Sequence, residues 1–287
     1  FGTLFSSLFN LFVTLQTNTY PTHNLNYIYI IKTQTLGMKF VKNIKSANMD
    51  SMGDSEFVLT LFSAMAQETG WSAEWVIVGE PTDNHMASAA KGTKSFEVTF
   101  KGRSCHSGYP ENGSSAIMYF NDFVNALRSV VFPNDPVLGE TTWNIGKLSS
   151  DNPQNILSDS LTCRIYFRTT FESDQMVCNI MKNIAGEDAK LRFGKPKVQD
   201  GSDIVAKEVA PWQKAMSVRA FGGDAPSHFD VLPGYKTKPV AFGSDAPQLT
   251  CFRHKILYGP GSILVAHRLE EYVMLKDLCG GKNNYVD

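Results

Sequence analysis

Two apolar runs in the first third of the chain each stop against a carboxylate: FVLTLFSAMAQETG carries Gln67 and Glu68, and WVIVGEPT carries Glu80. Near the other end, YGPGSILVAHRLEEYV joins a turn containing Gly259, Gly261 and Ser262 to His267. Carboxylates and imidazoles at strand ends are the groups that hold a zinc-like ion or move a proton. Successive backbone N–H groups in a glycine turn can receive a carboxylate. Between these stretches, GRSCHSGYPENG puts His106 in a polar loop, and NPQNILSDSLTCRIYFR supplies Asn155 and Arg168. Taken singly, each has an ordinary structural use as a turn carboxylate, a satisfied histidine or a plain glycine turn. Cys105 beside His106 completes no nucleophilic set, because no positioned Asn or Asp accompanies it. SHFD spells His-x-Asp with His228 and Asp230 and reads as a surface loop, while Asp245 in GSDAP reads as structural.

The elements that must position these residues fall into two patterns. Over 90–198, SFEVTFK alternates, with Phe96, Val98 and Phe100 on one face. Ala116, Ile117, Phe120, Phe123, Val124 and Leu127 form a helical stripe. TTWNIGKL predicts a short strand, and Leu161, Cys163, Ile165 and Phe167 alternate in another. Ser173 is placed to cap a helix with Met176, Val177, Ile180 and Ile184 on its stripe, and KLRFGKPKV is read as the last strand. The order β-α-β-β-α-β is the split βαβ layout, which buries one sheet face and leaves the other face and the edge strands available to a partner. Outside it, WVIVG, KPVAFG and KILYG are short continuous apolar runs that suit strands covered on both faces of an α/β sheet. The expected organisation is an atypical segment over 1–50, an α/β catalytic-type domain over 51–89 and 199–287, and an inserted lid over 90–198. In open α/β sheets the ligand site lies beyond the carboxyl ends of the strands, where this reading puts Glu68, Glu80 and the 259–262 turn.

Composition narrows the partners. The 287 residues carry 27 Lys and Arg against 28 Asp and Glu, and no basic stretch is long enough to track phosphates, so no nucleic acid is expected. Five cysteines without CxxC spacing read as reduced thiols in a cytoplasmic protein rather than as a disulfide framework or a structural zinc site. Residues 1–31 contain no Lys, Arg, Asp or Glu. FGTLFSSLFNLFVTL has the length of a signal core, but it lacks a basic flank and is too short to span a bilayer comfortably, so no membrane is expected. Residues 1–50 break abruptly in composition from the chain that follows and are expected to pack poorly against the rest.

The stretches IVGEPTD, KGTKSFEVTFKGRSCHSGYPENGSSAI, NPQNILSDSLTCRIYFR, VAFGSDAP and YGPGSILVAHRLEEYV, in that order, resemble the acetylornithine deacetylase, succinyl-diaminopimelate desuccinylase and aminoacylase family of co-catalytic zinc hydrolases. The resemblance covers residues 57–280. It implies a zinc-hydrolase α/β catalytic domain with an inserted ferredoxin-like lid that dimerises. It also implies an N-acyl amino acid substrate and zinc (or cobalt) as the metal. Two such ions about 3.5–4 Å apart activate water and stabilise charge. By the resemblance, Glu68, Glu80 and His267 are metal ligands, and His106 reaches the neighbouring subunit's site. Asn155, Arg168 and the turn of Gly259, Gly261 and Ser262 contact the substrate carboxylate. The stretch 66–70, AQETG, stands where the family has D-E-E-T-G, so Gln67 occupies the place of the general base. An amide cannot accept that proton, and positioned acid–base catalysis is worth about 10²–10⁴-fold. The family's earlier His-x-Asp element and bridging aspartate have no counterpart in 1–56, where His23, Asp50 and Asp54 stand in other surroundings. Two expectations follow: an amidohydrolase of N-acyl amino acids, or a homologue or fragment that keeps the dimerising lid without the chemistry.

Overall fold

The computed structural model describes residues 27–31, 63–64, 73–183, 210–269 and 271–286. In chain order its main elements are β1 (Tyr27–Ile31), β2 (Ala73–Gly79), β3 (Met86–Ala90), β4 (Gly92–Lys101), α1 (Ala116–Arg128), β5 (Thr142–Ser149) and β6 (Ser160–Thr169). They continue with α2 (Asp174–Asn183), α3 (Pro211–Lys214), β7 (Met216–Ala220), β8 (Ser227–His228), β9 (Thr237–Val240), β10 (Phe252–Leu257) and α4 (Leu275–Val286). Two compact units emerge: one of Phe1–Ala90 with Ser227–Asp287, the other Lys91–Pro226.

The second unit is a four-stranded antiparallel sheet in the order β5-β6-β4-β7. With the strands counted in chain order, the first and third lie at the centre and the second and fourth at the edges, which is the ferredoxin-like arrangement. The alternation in the sequence explains its core. Phe96, Val98 and Phe100 from β4 and Leu161, Cys163, Ile165 and Phe167 from β6 are buried in one cluster with Ala116, Phe123 and Leu127 of α1 and Val177, Ile180 and Met181 of α2. Each large apolar side chain so buried stabilises the unit by about 1.5–3 kcal/mol relative to exposure. Ser115 caps α1 by accepting the Met118 N–H. Ile117, expected on the buried stripe, is instead exposed; it lies one residue off the Ala116–Phe123–Leu127 line that faces the sheet. The stretch 190–198, read as the last strand, lies outside the described residues. The edge beside β4 is held by β7, where Met216 and Val218 turn toward the core and Ser217 and Arg219 away. The unit therefore runs on to Pro226.

The first unit contains two sheets. β2 lies between β1 and β10 in an all-parallel sheet. The continuous run WVIVG suits that central position, with Val76 and Val78 buried. β1 falls within residues 1–50, the segment that composition sets apart, and its YIYII run pairs residue for residue with β2. The second sheet has the order β8-β3-β9. β9 was expected to share a sheet with the runs of β2 and β10; it pairs instead with β3, with a register shift between Ala87 and Ala90. Pro239 lies in β9 opposite that shift and has no N–H to give the ladder. Asp230, which sequence left in a surface loop, lies 3.1 Å from His254 Nδ1 through its carboxylate, and the Lys255 N–H donates to it at 2.9 Å. SHFD is thus tied to β10 structurally. Among the described residues no helix is long and apolar enough to cross a membrane.

Candidate functional site

In the first unit the GEPT and GPGS stretches interlock. β2 and β10 are parallel neighbours, so both chains leave the sheet at the same end. The Tyr258 N–H donates to the Val78 carbonyl at 3.0 Å, extending the ladder past β10. Beyond it, the Thr82 hydroxyl, buried completely, accepts the Gly259 N–H at 3.0 Å and donates to the Gly259 carbonyl at 3.2 Å. The N–H groups of Thr82 and Asn84 also reach the Gly259 carbonyl, and that of Asp83 reaches the Gly261 carbonyl at 2.8 Å. Asp83 and Asn84 both take positive φ, 53° and 55°, and His85 N–H returns to the Thr82 carbonyl at 3.0 Å, a tight turn of the I′ kind. Gly261, at φ 80°, is one place where glycine's conformational freedom is required. Sequence reading passed over Thr82, although its position in GEPT, directly after a proline that ends the strand, is a signal for a turn hydroxyl. Thr82→Val should lower the stability of this unit by about 1–2 kcal/mol by leaving the buried Gly259 N–H unpaired, measurable as a lower urea midpoint.

Glu80 is half-buried and sits against this turn through its backbone. His267 lies further along the same segment, exposed, at φ 62°, with its N–H donating to the Glu271 carboxylate at 3.0 Å. The next described helix, α4, starts at Leu275. Gln67 and Glu68 lie outside the described residues. Among the described residues no three His, Cys, Asp or Glu side chains converge as a metal cage. Glu80 and His267 alone do not fit a co-catalytic pair of ions.

In the second unit the structure brings His106 and Asn155 together. His106 bridges to Ile156, the Ser107 N–H donates to the Asn155 carbonyl at 2.9 Å, and the Leu157 N–H to the Cys105 carbonyl at 3.0 Å. Arg103 and Ser114 exchange both backbone bonds across the base of the same loop. Arg168 stands in β6 opposite Thr93 and Thr142, with its guanidinium 4.9 Å from the centre of the Tyr166 ring. Lys91 is a further buried cation that sequence reading missed, although a Lys between the apolar MASAA and GTKSFEV runs is itself a signal. Its ammonium donates to the Glu140 carbonyl. Burial pushes its pKa down; Arg168 acts in the same sense, and Glu140 and Asp135 oppose. All five cysteines are free, and burial raises the Cys163 thiol to about 11.

The M20 peptidase dimerisation domain matches residues 88–190, the stretch that carries β4, α1, β5, β6 and α2. A peptidase M20 domain-containing protein of Schizosaccharomyces pombe is 30% identical over 75% of this chain and 48% of its own length. A probable carboxypeptidase of Talaromyces marneffei is 26% identical over 91% of this chain and 56% of its own. The chain thus spans about half the length of the curated relatives it matches. Among solved structures, the dipeptidase Dug1p of Saccharomyces cerevisiae superposes with a TM-score of 0.54 at 8% identity, covering 81% of this chain and 61% of that one, a likeness of fold. The chain is thus similar to proteins named as M20 peptidases and carboxypeptidases, and its fold is a mixed α/β one with an inserted ferredoxin-like lid.

Proposed function

We propose that this chain supplies the dimerising lid and part of the catalytic unit of an M20-type amidohydrolase or peptidase. Its substrates are N-acyl amino acids, with N-acetylornithine as the first to try. The observation that carries the reading is the interlock of Glu80 and Thr82 with the 259–262 turn, in a chain whose lid is an M20 dimerisation domain. In this reading the 259–262 turn, Asn155 and Arg168 receive the substrate carboxylate, and His106 serves the site of a second copy. Glu68, Glu80 and His267 are the residues available to zinc or cobalt. Pairing uses the lid: among the described residues β5 and β7 form the edges of the sheet, and Ile117 and Met118 are exposed on α1. A cytoplasmic location accords with five free cysteines.

Gln67 favours a second reading, a homologue that pairs but does not turn over, since its amide cannot take a proton. An amidase assay of the wild type and Gln67→Glu with added zinc or cobalt separates the two. Wild-type turnover supports the hydrolase. Absence of turnover in both supports the silent homologue, because restoring the base alone does not restore missing ligands. Turnover by Gln67→Glu only would confine the defect to that side chain.

A further inference from the structure

Three strands of the lid bring an unbalanced set of charges into one row. Glu97 of β4 lies opposite Arg164 of β6 on one side and opposite Arg219 of β7 on the other. Phe96 and Val98 point into the core with α1 and α2, so by strand alternation Glu97 and its two partners stand on the opposite face of the sheet. We propose that this open face, at Arg164, Arg219 and Phe221, docks an acidic peptide segment through its side-chain carboxylates.

One carboxylate stands between two guanidiniums. Arg164 Nε is 3.7 Å from Glu97, beyond hydrogen-bond distance, and among the described residues Arg219 pairs with no carboxylate. Both cations lie instead against one ring. The guanidinium carbon of Arg164 is 3.8 Å from the centre of Phe221, and that of Arg219 is 4.8 Å from it. Phe221 stands two residues beyond Arg219, and its N–H donates to the Ser95 carbonyl at 2.8 Å, which holds the ring beside β4. A guanidinium over an aromatic ring is attracted by the ring's face and keeps N–H edges free for an oxygen. Two such cations on one ring repel each other, so anions that reach both meet a site organised before they arrive. The Arg164 side chain is 29% exposed and Arg219 is exposed, which leaves both open to a partner.

The rest of the face has the same sign. Among its strand residues Lys101 and Arg168 add two cations, and Glu97 is the single acid. Charge complementarity therefore calls for an acidic partner. Spacing selects carboxylates on a chain over one phosphate. Arg164 and Arg219 belong to strands separated by β4, about 10 Å apart at the backbone, and their heads lean together over Phe221. Glu97 repels a dianion set between them. Side chains on one face of an extended peptide recur about every 7 Å, so successive carboxylates reach the two guanidiniums on either side of Glu97. Tyr166, exposed in the next row opposite Ser95, offers the peptide an apolar contact.

The proposal goes beyond the hydrolytic reading and does not rest on it, so absence of turnover and absence of docking are separate results. The test is fluorescence anisotropy of a dye-labelled peptide of alternating Glu and Ser, with its Gln–Ser counterpart as control, added to the full chain at low salt. We expect the Glu peptide to bind and the Gln peptide not to bind. Arg164→Gln and Arg219→Gln should each weaken binding about three- to fivefold, the upper range for an exposed ion pair. Arg128→Gln, at the end of α1 on the other side of the sheet, should leave it unchanged. Glu97→Gln removes the competing carboxylate and should tighten binding about two- to fivefold, a gain that a misfolded variant cannot produce. Absence of wild-type binding, an equal loss in Arg128→Gln or no gain in Glu97→Gln overturns the proposal. Displacement of the peptide by millimolar inorganic phosphate at constant ionic strength overturns it too, because the face would then be a phosphate site.

Discussion

Gly259→Ala should destabilise the α/β unit by about 4 kcal/mol, from overpacking of about 1–3 kcal/mol and hydrogen bonds worth about 0.5–1.5 kcal/mol each. An added Cβ would lie 2.5 Å from the Glu80 carbonyl oxygen and 3.2 Å from the Glu80 nitrogen. Both are backbone atoms, so no rotamer change relieves the overlap. The 258–262 segment would have to move away from 79–84. That breaks the reciprocal pair between Gly259 and the Thr82 hydroxyl, together with the Asn84 N–H bond. In urea unfolding, the transition of this unit should fall to lower concentration while that of the lid stays in place. A change below about 0.5 kcal/mol, the size of an ordinary surface substitution, would contradict the interlock.

Asp135→Ala should cost the lid about 3 kcal/mol, because a buried carboxylate that accepts several backbone N–H groups leaves each unpaired when removed. Asp135 is 2% exposed, and its carboxylate accepts from Val137 at 2.8 Å, Leu138 at 2.9 Å and Glu172 at 3.4 Å. It ties the loop before β5 to the start of α2. Burial pushes its pKa up, but the backbone donors Leu138, Val137, Glu172 and Phe171 outweigh that, and the carboxyl ends below its ordinary 3.8. A lowered folded pKa means the unfolded chain binds the proton more readily. The stabilisation is therefore complete above the unfolded value of 3.8 and is lost as pH falls through the folded value beneath it. Wild type should lose lid stability in that acid window, and Asp135→Asn should flatten the slope. A wild type and an Asp135→Asn variant with the same acid slope would show that the carboxylate is not the titrating staple.

The lid was the most legible part of the chain, because a half-buried antiparallel sheet writes its burial as alternation. Phe96, Val98 and Phe100 declare a face, and so do Leu161 to Phe167. β7 went unread because MSVRA is short and mostly exposed, with only Met216 fully inside. In the α/β unit, continuous apolar runs announced buried strands but not their neighbours, so β9 was assigned to the wrong sheet; Pro239 was the clue to a separate, irregular pairing. GEPT and GPGS could be recognised as motifs, but their interlock depends on parallel register between β2 and β10, 177 residues apart at Thr82 and Gly259, and no local pattern encodes that.

In the proposed function a lid pairs two copies of this chain. Static light scattering on the full chain, at roughly tens of micromolar where weak dimers still form, tests this most directly. The mass of two chains is predicted, and it should fall to one when a proline replaces Ile145 at the free edge strand β5. A wild-type mass of one chain at that concentration would contradict it.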